Sequence, residues 1–166
     1  MTGSLASLRR ELYTTECRTC SKETELLFTV WSYQVKCSEC DKEFVLWDRC
    51  RSYGKTVREH KFLREFPCPH CEAHLKKSRL TRTTPVPVLV GYKCCGKVQS
   101  EVEPSPKDME LIRKIESGSY ASRGFTPECD LPEGVNLSQP KRHGLTSVKS
   151  FYTARNLAAM TKLWEA

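Results

Sequence analysis

Eight of the ten cysteines in this 166-residue sequence stand in four close pairs, and no other feature constrains the fold as strongly. A C-x2-C turn points two sulfurs toward one half of a tetrahedral site, so two such turns can coordinate one zinc ion. Three pairs have this spacing and the fourth is adjacent; in chain order they are Cys17 and Cys20, Cys37 and Cys40, Cys68 and Cys71, and Cys94 and Cys95. The sequence therefore predicts two structural zinc ions.

The first two pairs form the pattern C-x2-C-x16-C-x2-C, which falls within zinc-ribbon spacing. Two knuckles joined through a short hairpin would complete one tetrahedral site. We therefore expect the first zinc to bind the four cysteines Cys17, Cys20, Cys37 and Cys40. Buried free thiols and a pair of disulfides are the alternatives, and neither explains why both pairs share one spacing.

The second zinc site is less regular because its return pair is adjacent. Cys68 and Cys71 form a normal knuckle, and Cys95 is the stronger return ligand because Gly96 suits a tight turn. Vicinal cysteines do not easily face one metal, so the fourth ligand stays open: Cys94 is preferred, and the alternatives are His70, His74 and Cys50. A degenerate ribbon without metal is a further alternative. Cys129, like Cys50, has no obvious mate and is expected to be an ordinary thiol.

Composition favours an intracellular, mildly basic protein. Residues 1–17 contain no apolar core of a secretory signal, and no apolar run approaches the roughly 18 residues of a membrane helix. We therefore expect a cytoplasmic chain, whose thiols stay reduced and bind metal more often than each other. The formal charge of +7 falls to about +3 if eight thiolates hold two zinc ions, which permits contact with phosphate without establishing it.

Local patterns predict a small α+β fold, in which two tandem zinc ribbons made of short antiparallel hairpins precede two helices. Residues 31–37 alternate between apolar and polar side chains, which indicates a strand, and residues 43–48 are its expected partner. An apolar strand punctuated by proline leads from Pro85 to Cys94. The second ribbon thus repeats the order of the first, which is knuckle, strand and knuckle.

Both expected helices carry start signals. Ser105 fits an N-cap with Pro106 and Asp108 in the first turn, and Gly118 fits the helix end; the apolar face comprises Met109, Ile112 and Ile115. Thr153 is the expected N-cap of the last helix, whose apolar face holds Leu157, Met160 and Trp164. Because an amphipathic helix needs a partner surface, we expect this helix to dock on another part of a larger protein or on another subunit.

These patterns divide the chain into seven segments. They are a lead-in at 1–16, zinc ribbon 1 at 17–50, a connector at 51–66, zinc ribbon 2 at 67–103, a capped helix at 104–118, an irregular linker at 119–146 and the docking helix at 147–166. The linker is assigned from its content of Gly, Pro and Ser.

A basic stretch beside the third cysteine pair suggests contact with nucleic acid, because basic side chains neutralise phosphates and aromatic faces stack on unpaired bases. The candidate basic residues are Lys76, Lys77, Arg79 and Arg82, and the candidate aromatics are Trp31, Tyr33 and Trp47. A solvated hairpin explains the basic stretch about equally well, and ribbon aromatics usually cover the small core around the metal. No catalytic or cofactor-binding residue is assigned, since cysteines that bind zinc are unavailable as nucleophiles.

Five segments resemble, in order, the zinc-ribbon region of large bacterial DNA methyltransferases that methylate amino groups (N6 of adenine or N4 of cytosine). They are TVWSYQVKCSECDKEFVLWD, FPCPHCEAHLKKSRL, VGYKCCGK, PKDMELIRKIE and FYTARNLAAMTKLWEA, and the resemblance runs from about residue 13 to the end. Such enzymes belong to restriction and phage-defence systems. The resemblance implies that the ribbons are an insertion in an S-adenosylmethionine-dependent fold, to which the last segment returns.

The catalytic motifs of that family do not occur in this sequence. It contains neither the D/N/S-P-P-Y/W/F loop that holds the target amino group nor the F-x-G-x-G turn that binds the cofactor, and its adjacent Cys94 and Cys95 depart from the family's separated cysteines. The resemblance therefore implies a non-catalytic DNA-engaging or structural module, as an excised domain, a gene fragment or one polypeptide of a split enzyme. A protein-interaction ribbon without DNA contact is the alternative, and an intact small enzyme is a third.

Overall fold

The computed structural model describes residues 2–53, 59, 61–118, 126–142 and 144–164, with side chains from residue 6 onward. The helices in this part are α1 (Thr2–Leu12), α2 (Leu46–Cys50), α3 (Pro106–Glu116), α4 (Ser138–Arg142) and α5 (Ala154–Trp164). The strands are β1 (Thr14–Glu16), β2 (Glu23–Lys36), β3 (Glu43–Val45), β4 (Arg51–Ser52), β5 (Lys61–Phe62), β6 (Glu65–Pro67), β7 (His74–Lys76), β8 (Thr81–Cys94) and β9 (Lys97–Val102). The expected α+β class is confirmed.

The strands of the described residues form three sheets. One has the hydrogen-bonded order β1-β2-β8-β9, with β3 also paired to β2, while β4 pairs with β5 and β6 with β7. The strands β1 and β3 run antiparallel to β2, with Thr15 opposite Thr24 and Val35 opposite Phe44. Both β2 and β8 are 14 residues long, so each is a continuous strand rather than an arm of a short ribbon hairpin.

The chain divides into two compact units that interleave along the sequence. The helical unit consists of Met1–Leu26, Tyr92–Lys97 and Ser105–Ala166, and the strand unit consists of Leu27–Gly91 and Val98–Pro104. β2 and β8 therefore each begin in one unit and end in the other.

The helical unit has its own small core of helices. Leu12 of α1, Ile115 of α3 and Ala158 of α5 are buried against one another, and Leu12 is fully buried. Next to this cluster, the Tyr13 hydroxyl donates to Asn156 Oδ1 at 2.9 Å. The first 16 residues, expected to be only a lead-in, thus contribute a helix and a buried side chain to a core.

α3 begins and ends where the sequence predicts. Ser105 Oγ accepts the Asp108 N–H at 3.1 Å and the Ser105 N–H donates to Asp108 Oδ2 at 2.7 Å, which completes a capping box with Pro106 as the first helical residue. Gly118 follows the helix with a φ of +81°, a left-handed conformation that favours glycine after a helix end. Of the predicted apolar face, Ile112 and Ile115 are buried.

α5 is capped by Thr153, whose Oγ1 accepts the Asn156 N–H at 3.3 Å. Its buried residues are Arg155, Ala158 and Thr161, which differ from the face chosen by hydrophobicity. Within that predicted face, Met160 and Trp164 are 41% and 72% exposed. The most apolar side of α5 therefore lies at the surface of the helical unit.

The strand unit has a core that includes cysteines. Val35, Phe44, Leu46, Phe66 and Leu75 are buried together with Cys37, Cys50 and Cys68. The rings of Phe44 and Phe66 meet edge to face, with centroids 6.3 Å apart. Apolar packing and candidate metal ligands thus share one small interior.

Three expected segments differ from the structure. The strand predicted at 43–48 ends at Val45, and Leu46 begins α2. The connector at 51–66 contains β4, β5 and part of β6, while its residues 54–58 and 60 lie outside the described part. The linker at 119–146 contains a 3-10 turn at Val135–Leu137 and then α4, and its residues 119–125 and 143 are likewise not described. Among the described residues, every helix is too short or too polar to cross a bilayer.

Candidate metal centres

The structure gathers the eight predicted ligands into two four-cysteine groups. The helical-unit cluster is formed by the first and fourth pairs, Cys17, Cys20, Cys94 and Cys95. The strand-unit cluster is formed by the second and third pairs, Cys37, Cys40, Cys68 and Cys71. Within each cluster all four sulfur atoms lie within 4.8 Å of one another.

The distances between sulfurs fit a tetrahedral zinc site. A Zn–S bond of about 2.3 Å gives a tetrahedron whose sulfurs are about 3.8 Å apart. In the helical-unit cluster, Sγ of Cys17 is 3.9 Å from that of Cys95, and Sγ of Cys20 is 3.6 Å from that of Cys94. In the strand-unit cluster, the pairs Cys37–Cys71 and Cys40–Cys68 are both separated by 3.9 Å. A disulfide would need about 2.05 Å, so these are thiol clusters suited to two zinc ions.

Three of the four pairs are built by the same backbone turn. In the second pair, the Asp41 N–H donates to Cys37 O at 3.1 Å and the Cys37 N–H donates to Lys42 O at 3.0 Å. The residue after each knuckle, namely Ser21, Asp41 or Glu72, has a φ between +55° and +60°. Such a turn places both cysteine side chains on its inner side, because the chain reverses within five residues. The C-x2-C spacing is thus the local cause of each half-site.

The fourth pair uses a different turn. β8 ends at Cys94 and β9 begins at Lys97, so Cys95 and Gly96 form a two-residue hairpin turn. Both have positive φ, +52° for Cys95 and +78° for Gly96, as a type I′ turn requires. In this geometry the adjacent sulfurs of Cys94 and Cys95 lie 3.8 Å apart, close to a tetrahedral edge. Vicinal cysteines can therefore face one metal when the second lies in a type I′ turn.

The electrostatics of each cluster favour a bound cation. The N–H groups of Thr19 and Cys20 lower the pKa of Cys17 to about 6, which favours the thiolate. Conversely, the nearby sulfur of Cys20, followed by those of Cys94 and Cys17, raises the pKa of Cys95 to about 12. Like charges this close cannot all be borne without a neutralising ion. A zinc ion, which takes thiolates as ligands, supplies that charge.

The strand-unit cluster shows the same balance at Cys68. Burial acts to raise the pKa of the Cys68 thiol, but the N–H groups of His70 and Cys71, together with the sulfurs of Cys37 and Cys71, lower the pKa to about 6. The His70 N–H lies 3.4 Å from the Cys68 sulfur, and the Glu39 N–H lies 3.4 Å from that of Cys37. In both knuckles, the N–H two residues after the first cysteine therefore points to that cysteine's sulfur.

Polar contacts surround the helical-unit cluster. The Arg18 N–H donates to the hydroxyl of Tyr92, a residue that is almost fully buried, at 3.0 Å. The Arg18 guanidinium donates to Asp108 Oδ2 at 2.7 Å, in the capping box of α3. Burial acts to raise the pKa of Asp108, but hydrogen bonds from Ser105 and Arg18 bring the pKa below its usual value. The first knuckle is thus tied to α3 by a charged hydrogen bond.

The predicted grouping of the ligands is wrong, although the eight residues are the ones predicted. Cys17 and Cys20 stand before β2, and Cys37 and Cys40 stand after it. Residues 23–36 form one continuous strand of 14 residues rather than the hairpin that the predicted ribbon requires. The sequence does carry a signal for this outcome, because residues 23–36 contain no Gly, Pro, Asn or Asp at which a hairpin could turn.

The residues considered as alternative fourth ligands of the second zinc belong to neither cysteine cluster. His70 Nε2 is 3.2 Å from Glu43 O, and His74 Nε2 is 3.6 Å from a carboxylate oxygen of Glu65. Cys50 is buried in the strand-unit core and belongs to neither cluster, and burial raises the pKa of its thiol. Cys129 is exposed and also lies outside both clusters. Cys94, the preferred ligand, is a member of the helical-unit cluster.

The candidate nucleic-acid residues all lie in the strand unit, where several contact other side chains. Lys76 pairs with Glu65 at 3.2 Å, Lys77 Nζ lies 4.9 Å from the Phe62 ring centroid, and Arg82 lies 4.9 Å from that of Tyr33. Arg79 is exposed at the end of a 3-10 turn, Lys77–Arg79. Of the candidate aromatics, Trp31 and Trp47 are half-buried and Tyr33 is exposed.

We found no family model, no curated protein and no solved structure that matches the chain. The assignment of two zinc-binding sites therefore rests on the eight cysteines and their geometry.

Proposed function

We propose that the chain is a zinc-stabilised, non-catalytic module of a large bacterial amino-methylating DNA methyltransferase, and that its strand unit engages DNA. The parentage rests on the resemblance of the five sequence segments, and the non-catalytic role on the missing catalytic and cofactor motifs. The DNA contact is supported by one structural observation, a basic turn (Lys77–Arg79) that follows the ladder carrying the third knuckle.

That turn follows β7, the strand that begins after the third knuckle. β6 ends just before Cys68 and β7 begins after Cys71. The two strands pair with each other, with Phe66 opposite Leu75. The ladder ends at Lys76, and the Lys77 N–H then donates to Arg64 O at 2.9 Å. Because a zinc ion on the knuckle would fix both strands, it would also fix the basic turn that they carry.

Charge around the turn suits a polyanion. Residues 61–82 carry two acidic residues, Glu65 and Glu72, against six basic ones, Lys61, Arg64, Lys76, Lys77, Arg79 and Arg82. Basic side chains that contact phosphates release counterions, which makes DNA affinity depend on salt. We expect binding of this kind to be only weakly selective for sequence.

The test is the salt dependence of binding to duplex DNA, measured by fluorescence anisotropy on the zinc-loaded chain. Replacing Lys76, Lys77, Arg79 and Arg82 together by alanine should weaken binding and flatten the log–log salt slope by about one unit for each phosphate that is no longer neutralised. The matched control removes four exposed basic residues of the helical unit, namely Arg10, Arg113, Arg142 and Lys149. Equal slopes for both variants would count against this DNA surface.

The parentage has an independent test in the genome. Reading frames on either side of the coding sequence should contain a D/N/S-P-P-Y/W/F string and an F-x-G-x-G string. Co-purification of their product with this chain would then support a split enzyme. Absence of both strings from the neighbouring frames would contradict the parentage while leaving the zinc sites untouched.

The exposed side of α5 favours a second candidate function, docking on the rest of the methyltransferase or on a partner subunit. Met160, Leu163 and Trp164 are 41%, 60% and 72% exposed. Replacing Met160 and Leu163 by glutamate should abolish such docking, as measured by co-purification with the neighbouring gene product, and should leave DNA binding unchanged. Unchanged co-purification would remove this candidate.

A further inference from the structure

A row of aromatic and cationic side chains runs across the β4–β5 ladder of the strand unit. The Arg51 guanidinium lies between two rings, 4.3 Å from the Trp47 centroid and 4.7 Å from the Tyr53 centroid. The Trp47 ring meets Phe62 at 6.2 Å, and Lys77 Nζ lies over Phe62 at 4.9 Å. In order, the aromatic row is Tyr53, Arg51, Trp47, Phe62 and Lys77.

The backbone and one ion pair hold the middle of this row. Arg51 is opposite Phe62 in the ladder, and the Leu63 N–H donates to Cys50 O at 2.7 Å. The Arg51 side chain is 4% exposed and pairs with Glu101 at 2.9 Å. The guanidinium is therefore a fixed spacer between the rings rather than a mobile surface cation.

Two rings of the row, those of Tyr53 and Phe62, are open to solvent. Tyr53 is 64% exposed and Phe62 is 58% exposed, among the highest values for large apolar side chains in the described part of the chain. Exposed rings held in place by packed neighbours retain little conformational entropy to lose on binding. Because Lys77 lies over Phe62 and begins the basic turn, an anionic ligand with flat apolar faces fits this surface better than an apolar peptide does.

We propose that the aromatic row binds unpaired nucleotides, with bases stacked on Tyr53 and Phe62 and phosphates near Lys77 and the basic turn. This inference rests on the proposed DNA engagement and specifies its substrate as single-stranded nucleic acid. Stacking tolerates any base, because every base has a flat π face, so the row acts as a sequence-tolerant platform for displaced or unpaired strands.

The experiment measures anisotropy of a labelled oligothymidylate of about 15 nucleotides and of a duplex of the same length, at equal salt, on the zinc-loaded chain. Tyr53→Ala and Phe62→Ala should each weaken single-strand binding by about 5- to 150-fold and weaken duplex binding much less. Tyr53→Phe and Phe62→Tyr keep the ring and should retain binding. An oligouridylate of equal length separates RNA from DNA as the preferred strand.

The matched control is Phe151→Ala, which removes a ring that is 50% exposed in the helical unit and should leave binding unchanged. If Phe62→Ala lowers the zinc content or unfolds the chain, Phe62→Leu replaces it, since leucine keeps apolar volume without a ring. Unchanged single-strand binding in the Tyr53 and Phe62 variants overturns the proposal.

The two proposals fail in different ways. If duplex binding depends on salt and on the four basic residues but single strands are not preferred, the proposed DNA contact stands and the proposed stacking of bases is wrong. Absence of binding to both oligonucleotides at low salt would overturn both. A single-strand preference that the aromatic variants abolish would support both.

Discussion

The two clusters each contain four cysteines, but the residues around them differ. The strand-unit cluster lies inside an apolar core, where Cys37 and Cys68 are buried with Phe44, Phe66 and Leu75. The helical-unit cluster instead adjoins polar contacts, and the buried helix core of its unit contains no cysteine among the described residues. The difference indicates that one zinc is part of a core, whereas the other attaches a hairpin and a knuckle to a core that already exists.

The largest expected effect concerns which pairs share a metal. In the double variant Cys37→Ser/Cys68→Ser both changes fall in one cluster, so the chain should keep one zinc. In Cys17→Ser/Cys37→Ser each cluster loses a ligand, so both zincs should be lost or severely weakened. Metal content per purified chain, measured by atomic emission, gives the count.

The opposite pattern, with one zinc kept in Cys17→Ser/Cys37→Ser and none in Cys37→Ser/Cys68→Ser, would restore the sequential ribbon arrangement. Cys50→Ser is the control, because Cys50 is buried beside a cluster without belonging to it. It should retain two zincs.

The second prediction compares single ligands across the two units. Binding of a structural zinc releases about 10–16 kcal/mol, which is as large as the whole stability of a typical domain. Cys68→Ala should therefore unfold the strand unit, whereas Cys95→Ala should release a zinc and leave the packing of α1, α3 and α5 in place. Amide hydrogen exchange separates these outcomes, because each unit has its own set of protected amides. Loss of helix protection in Cys95→Ala would show that the helices also depend on metal.

The third prediction uses matched truncations in the two cores. Leu75→Ala and Ile115→Ala each remove a buried side chain, both 3% exposed, and each should cost about 2–5 kcal/mol of unfolding free energy. Only Leu75→Ala should also speed zinc loss to a chelator, because Leu75 packs with the cysteines. Equal chelation rates in both variants would mean that core packing and metal retention are separate in the strand unit.

The smallest effect is expected at the cap of α3. Ser105→Ala removes an acceptor for the Asp108 N–H and should destabilise the helical unit by about 0.5–2 kcal/mol, with both zincs retained. Denaturant unfolding followed by far-UV circular dichroism measures the loss. Ser117→Ala, at the other end of the same helix, is the comparison and should cost less.

Local chemistry determines the parts that could be predicted from sequence. The C-x2-C turns require only five or six consecutive residues, so the six cysteines of the first three pairs are predicted as ligands from spacing alone. The capping box at Ser105 and the N-cap at Thr153 are local in the same sense. The turn of Cys95 and Gly96 could also have been recognised, because a two-residue connection that ends in glycine is typical of type I′ hairpins.

Long-range geometry determines the parts of the fold and of the metal sites that could not be predicted from sequence. Which knuckles meet depends on whether the chain turns within 23–36 or continues as a strand. The spacing of 16 residues suits both, and the lack of turn residues there favours the strand without showing which distant pair completes each site. The packed side of α5 depends on close approach to other helices, for which small Ala158 serves better than a large apolar residue. Hydrophobicity alone therefore selected Met160 and Trp164, which are exposed.

The first cysteine pair shares a cluster with the fourth, and the second shares one with the third, so the two chain loops closed by zinc are nested. The inner cluster closes a loop between Cys40 and Cys68, which are 28 residues apart, and the outer one joins Cys20 to Cys94 across 74. Because the N-terminal part of a chain emerges first during synthesis, the inner loop can close while the last outer ligands are still being translated. A closed inner loop shortens the flexible chain that the outer zinc must then bridge, so the entropy lost in the second closure is smaller. The order of the cysteines therefore favours loading of the inner site before the outer one.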